Sequence, residues 1–486
     1  MHLLASTQMN TVSKETLVMD MKDAFTLRGF SVSNGQVEGR IVRLGVDDAT
    51  VEFPGFEFLP RLSEVLDNIQ MVSGRVSFSA KRATISGMVS TGSSYLCHLE
   101  LQEVARQPAH MGETWRVSEL KGVLHRLLTD WQDVCQVDND YRVVVSNIEN
   151  FFANLRSWIN GFELMLVKGD QSSRDSIERQ IAEVTVASME PHLNALFERF
   201  EFVAASIPED LAPRHSKYVR MHLHPYLLCS PFMWRIFRKP LGYAGDYEMV
   251  GMILRDHHEG PSLYARILNR WILSQVLAQA HRNRVEFLAA KLLEESTGYS
   301  ESSKVFRVFN LGCGPAREVA LFLQNRLRRS VVDFTLVDFN EETLEVAAST
   351  LLDSNGRAAR QARIRFVKRS AAQVIRSAAR EFEGGYNMIY CAGLFDYLSD
   401  DVCGLLLKAF YDMLAPKGLL LVTNVQLPNP MHGVMTHIFD WHLECRDASD
   451  MRQLWRSTGL PVSPVVSVDG TGANVFLEAR KDVDNV

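Results

Sequence analysis

Hydrophobic and polar positions change their period twice along this chain. From about Phe25 to Val104 they alternate. Gln36–Leu44, Ala49–Phe53, Gly74–Ala80, Arg82–Val89 and Ser94–Leu101 place apolar side chains at every second position, with Gly, Asp and Asn between them. That rhythm predicts short strands forming a small antiparallel barrel or sandwich. From about Ser118 to Phe237 the period is helical. Val123, Leu124, Leu127, Leu128 and Trp131 form one apolar stripe, Ile148, Phe151, Phe152, Leu155 and Trp158 a second, and Ile177 to Phe202 a third. One helix is expected over Ser262–Leu293, then a polar linker over Glu294–Ser303. Beyond it the two periods take turns. Strands are predicted at 306–311, 332–337, 362–367, 386–391 and 416–424, and helices at 316–327, 341–354, 370–380 and 399–414. A last helix near 447–458 precedes a hairpin, Val465–Val468 and Ala473–Ala479, turned by Asp469-Gly470-Thr471-Gly472. The predicted division is a barrel over 1–118, a helical segment over 119–237 and an α/β domain over 238–486. Met1 to Lys14 is polar and is expected to be disordered.

Composition narrows the class. Of 486 residues 46% are hydrophobic and 23% charged, enough for several globular domains. The net charge is −6, from 52 Lys+Arg against 58 Asp+Glu, which disfavours a nucleic-acid partner. No apolar run approaches the ~20 residues that span a bilayer, so no integral membrane segment is expected. Seven scattered cysteines without a Cys-x-x-Cys pair suggest neither a disulfide framework nor a zinc site, and a reducing cytoplasm fits them best. His222-Leu223-His224 lacks a Cys or acid at ligand spacing, so no metal is expected.

The chemistry gathers around Val308–Glu318, Val-Phe-Asn-Leu-Gly-Cys-Gly-Pro-Ala-Arg-Glu. An apolar strand ends at Leu311, Gly312-Cys313-Gly314 makes a tight turn, and Pro315 is expected to open a helix. Glycines there let a ligand approach the backbone, and helix N–H groups can face an anion. A second apolar run ends in Asp338, at the spacing where an acid takes ribose hydroxyls. Arg317 occupies the place of the third glycine of the dinucleotide fingerprint, so a ligand without pyrophosphate, S-adenosyl-L-methionine, is favoured over NAD. Asn310 stands where such turns often carry an acid. In this reading Asn310, Gly312, Cys313 and Gly314 surround the methionine part, Asp338 the ribose, and Phe339, Ser370 and Ala371 the adenine. Ala392, Gly393 and Leu394 mark where methyl donor and acceptor meet, with Phe395 and Tyr397 suited to a cationic cofactor. Lys239–Glu248, Lys-Pro-Leu-Gly-Tyr-Ala-Gly-Asp-Tyr-Glu, is a dense turn carrying hydroxyls and carboxylates. Tyr243 and Asp246 are expected near the cofactor, and Tyr243, Tyr247 and His442 near the acceptor. The helices of 119–237 are read as a lid and acceptor pocket.

Three resemblances add expectations. Gly-Arg-Ile-Val-x-Leu followed by Ala-x-Val-Glu resembles PilZ domains, small barrels that often bind cyclic di-GMP. Arg28 lacks the paired arginine of that family at residue 24 or 32, and Leu44-Gly45-Val46-Asp47-Asp48 lacks its second motif, so a structural barrel that docks a protein partner or a second copy is expected. Five βα units closed by a hairpin resemble the class I (Rossmann-like) methyltransferase layout. Gly-Tyr-Ala-Gly-Asp-Tyr-Glu, Asn-Leu-Gly-Cys-Gly-Pro-Ala-Arg-Glu, Gly-Leu-Phe-Asp-Tyr-Leu-Ser-Asp and Asp-Trp-His-Leu resemble the bacterial PhcB-type methyltransferases, described as 3-hydroxypalmitic acid methyl ester (extracellular factor) biosynthesis proteins. The resemblance spans about residues 120–482. It implies methylation of a 3-hydroxy fatty acid carboxylate to a quorum-sensing ester. The rival readings are O- or N-methylation of another small molecule, and a nucleotide-sensing regulatory protein whose α/β domain only holds cofactor.

Overall fold

The computed structural model describes residues 25–31, 35–44, 48–54, 64–73, 76–90, 94–108, 128, 136–166, 171–299, 305–325, 331–353 and 362–482. The polar N-terminus lies outside these residues, as does the first helical stripe apart from Leu128. The chain forms two compact units, Met1–Met88 with Ser93–Gly112, and Val89–Gly92 with Glu113–Val486.

The first unit is a closed antiparallel barrel of β1 (Phe25–Ser31), β2 (Gly35–Leu44), β3 (Asp48–Pro54), β4 (Val65–Ser73), β5 (Val76–Ser90) and β6 (Ser94–Pro108), in the order β1-β2-β3-β6-β5-β4. Alternation fills its interior with Leu27, Val37, Ile41, Val51, Phe53, Leu66, Ile69, Met71, Ile85 and Leu99. Gly39 belongs to that interior, since a Cβ there would stand 2.6 Å from Val51 and 2.7 Å from Phe53. The two strands expected at 74–80 and 82–89 are one, β5, and β4 was not anticipated. Both break phase where they pair. Asn68 takes φ +54°, and Lys81 and Arg82 are both exposed between buried Ala80 and Ala83. A bent strand loses its period-two signature at the bend.

In the second unit a helical layer comes first: α1 (Asn139–Leu166), α2 (Gln171–Ala204), α3 (Ala212–Leu227), α4 (Pro231–Arg238), α5 (Tyr247–Leu254), α6 (Leu263–Ser274) and α7 (Val276–Thr297). The second and third apolar stripes supply its core, with Ile148, Phe152, Leu193, Phe197 and Phe200 buried. The single helix expected over 262–293 is α6 and α7, broken at Gln275 (φ −66°, ψ 160°). Side chains compete with the helix there: Ser274 Oγ and Gln275 Nε2 donate to the Trp271 carbonyl at 2.7 and 3.1 Å, and both donate to Glu190.

The α/β part follows as β7 (Phe306–Leu311), α8 (Arg317–Asn325), β8 (Val332–Asp338), α9 (Glu341–Asp353), β9 (Ala362–Lys368), α10 (Ala371–Glu381), β10 (Tyr386–Cys391), α11 (Asp400–Met413), β11 (Leu414–Val425), α12 (Ala448–Thr458), β12 (Val465–Val468) and β13 (Asn474–Arg480). They build one seven-stranded sheet, β12-β13-β11-β10-β7-β8-β9. Only the pairs made by β13 are antiparallel. Its central strands β7, β8 and β10 are almost wholly buried because helices cover both faces, whereas the edge strands β9 and β12 are partly exposed. This is the layout expected from the sequence. Helix α8 starts at Arg317, one residue later than predicted. Pro315 lies in the turn and Ala316, at φ +50°, accepts the first helical bond from the Ala320 N–H. No helix among the described residues is long and apolar enough to cross a membrane.

Candidate active site

Strand order reverses between β7 and β10. The chain runs outward through β8 and β9, then returns to place β10 on the other side of β7. Such a reversal sends the two loops at the carboxyl ends in opposite directions, and the crevice between them is the usual ligand position in open α/β sheets. Met388, Ile389 and Tyr390 sit in register with Val308, Phe309 and Asn310, so the turn Gly312–Gly314 faces Ala392–Leu394. A Cβ on Gly312 would lie 3.5 Å from Leu394 Cβ. Gly312 (φ +72°), Gly314 (φ +51°) and Gly393 (φ +84°) all need the left-handed region.

Asp338 ends β8 beside this turn. Its Oδ2 accepts the Gly314 N–H at 3.3 Å and its Oδ1 the Asn340 N–H at 3.0 Å. A carboxylate has about four lone-pair sites, so acceptor capacity remains. The group is 6% exposed, and burial raises its pKa to about 6 against the pull of those N–H groups. Phe339, next in the chain, lies 5.4 Å from the Tyr243 ring, which brings the glycine-tyrosine turn to the end of β8. Burial, then the charges of Asp338 and Asp246, push the Tyr243 hydroxyl well above the ordinary phenol range.

Other expected residues are held by protein partners. Asp246 is fully buried, caps α5 by accepting the Met249 N–H at 2.8 Å, and pairs with Arg235 at 2.8 Å. Its carboxylate thereby ties the start of α5 to α4. Tyr247 donates its hydroxyl to Glu342 on α9. Ser370 caps α10, accepting the Gln373 N–H at 3.3 Å, with Ala371 starting that helix. Asn310 donates to Glu318 at 3.3 Å, and Tyr390 donates to the same oxygen at 2.8 Å, a buried bracket behind the glycine turn. Cys313 is buried, and burial pushes its thiol well up. Phe395, expected near a cation, is wholly buried in the core. Tyr397 instead reaches the glycine-tyrosine turn: its hydroxyl touches the position a Gly245 Cβ would take and accepts Trp441 Nε1–H at 3.0 Å.

His442 sits on the other side. Its Nε2 lies 3.6 Å from Asp440 Oδ1, and Asp440 also pairs with Lys239 at 2.9 Å and Arg220 at 3.1 Å. Burial works to raise the Asp440 carboxyl, yet the nearby His442 ring and the Lys239 and Arg220 charges hold it far below the carboxylate range. The segment around it is a π-helical turn, Val434–Ile438, clasped by the helical layer. Glu201 accepts the Gly433 and Val434 N–H groups at 2.6 and 2.8 Å, and His224 bonds the Ile438 carbonyl at 2.9 Å. His222 pairs with Glu149 instead. Among the described residues no direct contact joins Tyr243, Tyr247 and His442. Arg284 and Arg220 were missed from sequence, and Lys239 was noted only as the first residue of the glycine-tyrosine stretch. Of the two missed, Arg284 carried a signal, since it falls in the apolar phase of α7.

No family model matches the chain, and no curated protein matches it. Solved structures do. A possible exported protein from Bordetella parapertussis is 18% identical over 51% of this chain and 83% of its own, with TM-score 0.40. Magnesium protoporphyrin IX methyltransferase from Synechocystis PCC 6803, with bound SAH, is 12% identical over 55% and 99%, with TM-score 0.35. An O-methyltransferase family protein from Burkholderia thailandensis is 12% identical over 55% and 73%, with TM-score 0.32. Likeness at this level leaves the chain's own residues to decide its function.

Proposed function

We propose that this chain is an S-adenosyl-L-methionine-dependent methyltransferase acting on the carboxylate of a medium or long 3-hydroxy fatty acid. The observation that carries the cofactor is Asp338, held beside the positive-φ glycine turn where β7 and β10 diverge. The buried carboxylate retains acceptor capacity for a ribose diol, and the glycines leave the backbone open to the amino-acid part. The cofactor, when bound, supplies an electrophilic methyl on a sulfonium. Support for the acceptor comes from the PhcB-type motifs and from the apolar helical layer beside the site.

A fatty acid with pKa near ~4.3 is already ionised at neutral pH, so the protein need not remove a proton. With the cofactor bound, a carboxylate oxygen would take the methyl group as the carbon–sulfur bond broke, the two opposite charges cancelling. The protein's part is alignment, which can contribute ~7–11 kcal/mol. In this proposal Tyr243 and His442 orient the carboxylate or the 3-hydroxyl. Tyr247, tied to Glu342, holds α5 to α9 and acts through position.

The test is transfer of labelled methyl to 3-hydroxy acids of increasing length, beside catechol, amine and RNA acceptors. Transfer to a fatty acid is expected. Transfer only to an amine or RNA would overturn the acceptor and leave the cofactor standing. Failure to bind S-adenosylhomocysteine would overturn the enzyme reading altogether.

A further inference from the structure

Helix α7 buries Ala278, Val285, Leu288, Ala289 and Leu292, and His281 and Arg284 lie in the same phase. Arg284 is half-buried, and a guanidinium partly withdrawn from water favours an anion beside it. Other enclosed arginines of this unit have one: Arg235 meets Asp246, Arg266 meets Glu178, and Arg446 meets Asp400 and several carbonyls. Arg284 does not. Its Nη2 donates to His281 Nδ1 at 2.8 Å, and among the described residues no carboxylate lies within 4.0 Å of it. Asp396 and Glu318 reach it only as longer-range charges.

The guanidinium stands at the crevice. Its Nη2, Nη1 and Cζ are 3.0, 3.2 and 3.3 Å from where a Cβ on Gly393 would be, so glycine at 393 makes room for it. Leu394, the next residue, is the one that faces Gly312. The neighbouring imidazole holds it there. Arginine can only donate, so His281 Nδ1 accepts and the ring hydrogen sits on Nε2. That Nε2 is buried and has no partner. Burial, then the charges of Arg284 and Arg282, keep the ring neutral. Arg284 is half-buried, and beside the glycine turn its guanidinium meets Gly393 with no carboxylate among the described residues to pair it, while the His281 Nε2–H points away from it.

We infer that Arg284 seats the α-carboxylate of the cofactor's amino-acid part. The inference rests on the cofactor reading above. A planar guanidinium offers paired N–H donors that match a carboxylate, and His281 holds the guanidinium in place.

The test is calorimetry on the full chain with S-adenosylhomocysteine, its decarboxylated analogue and 5′-methylthioadenosine, which lacks the amino-acid part. Wild type should bind S-adenosylhomocysteine at least about tenfold more tightly than the decarboxylated analogue. Arg284→Met should weaken S-adenosylhomocysteine at least about tenfold while leaving 5′-methylthioadenosine within about twofold, and Arg284→Lys should fall between. Unchanged S-adenosylhomocysteine affinity in Arg284→Met overturns the inference, even if the KM for an acid substrate rises, because the guanidinium then serves the acceptor. Equal loss of both nucleosides also overturns it, because the arginine then only supports the fold. Should Arg284→Met not fold, the wild-type comparison decides alone. Wild type that binds 5′-methylthioadenosine and S-adenosylhomocysteine but ignores the carboxylate sinks this inference only; wild type that binds neither sinks the cofactor reading with it.

Discussion

Asp338 shows how one buried carboxylate couples pH to two properties. Its folded pKa, about 6, lies above the unfolded aspartate value. Its contribution to stability is therefore fully present below about pH 3.9 and lost as pH rises through 6. Ligand binding runs the other way, because ribose hydroxyls need an ionised acceptor. S-Adenosylhomocysteine affinity should fall by up to about tenfold per pH unit below 6, as read by calorimetry at several pH values. A flat profile would remove Asp338 from the site. Asp338→Ala should bind the same ligand at least about tenfold more weakly while staying folded. Gly245 makes a steric prediction at the same scale. A Cβ there collides with the Tyr397 hydroxyl, which Trp441 already fixes. Gly245→Ala should lower both melting temperature and turnover. Gly470→Ala, where a Cβ would meet nothing, is the control and should leave both unchanged.

At the scale of elements, the π-helical turn after β11 is the joint between sheet and helical layer. His437 within it is buried and lies 3.0 Å from the Tyr141 hydroxyl on α1. Burial first, then the charges of His215 and Arg220, lower its pKa to about 4. The neutral ring is the one the fold accepts, so its contribution is complete above about pH 6.5 and is lost as pH falls through 4. That loss is on the order of 3 kcal/mol. Melting temperature should drop across this window, and His437→Gln should flatten the drop. An unchanged slope would show that other buried groups set the acid limit, with Asp338 opposing them.

The whole molecule raises two further expectations. Burying an alkyl tail gains about 0.8 kcal/mol per CH₂, so each added methylene should lower KM about fourfold until the pocket is full. A KM that ignores chain length would argue against a fatty acid. The barrel should stay silent in calorimetry with cyclic di-GMP. Arg28 and Arg40 are spent on Glu38 and Glu52 at 3.2 and 2.5 Å, and a bis-phosphate needs clustered free guanidinium groups. Micromolar binding at physiological salt would refute this.

Periodicity alone located most strands and helices of the α/β part, since residues buried on a sheet face or helix stripe must be apolar at fixed spacing. Gly312, Gly314 and Asp338 were legible because a strand, a turn and an acid follow one another locally. The helix-capping roles of Asp246 and Ser370 were not legible, for the opposite reason. Each is a polar residue at a helix start, and only the fold decides whether its oxygen meets an orphan N–H or a ligand. Arg284 and Gly393 are 109 residues apart in the chain. No local pattern links them. Their meeting, like that of Asp440 with Arg220 and Lys239, was decided by tertiary packing, which alone determines which charges are left without a partner.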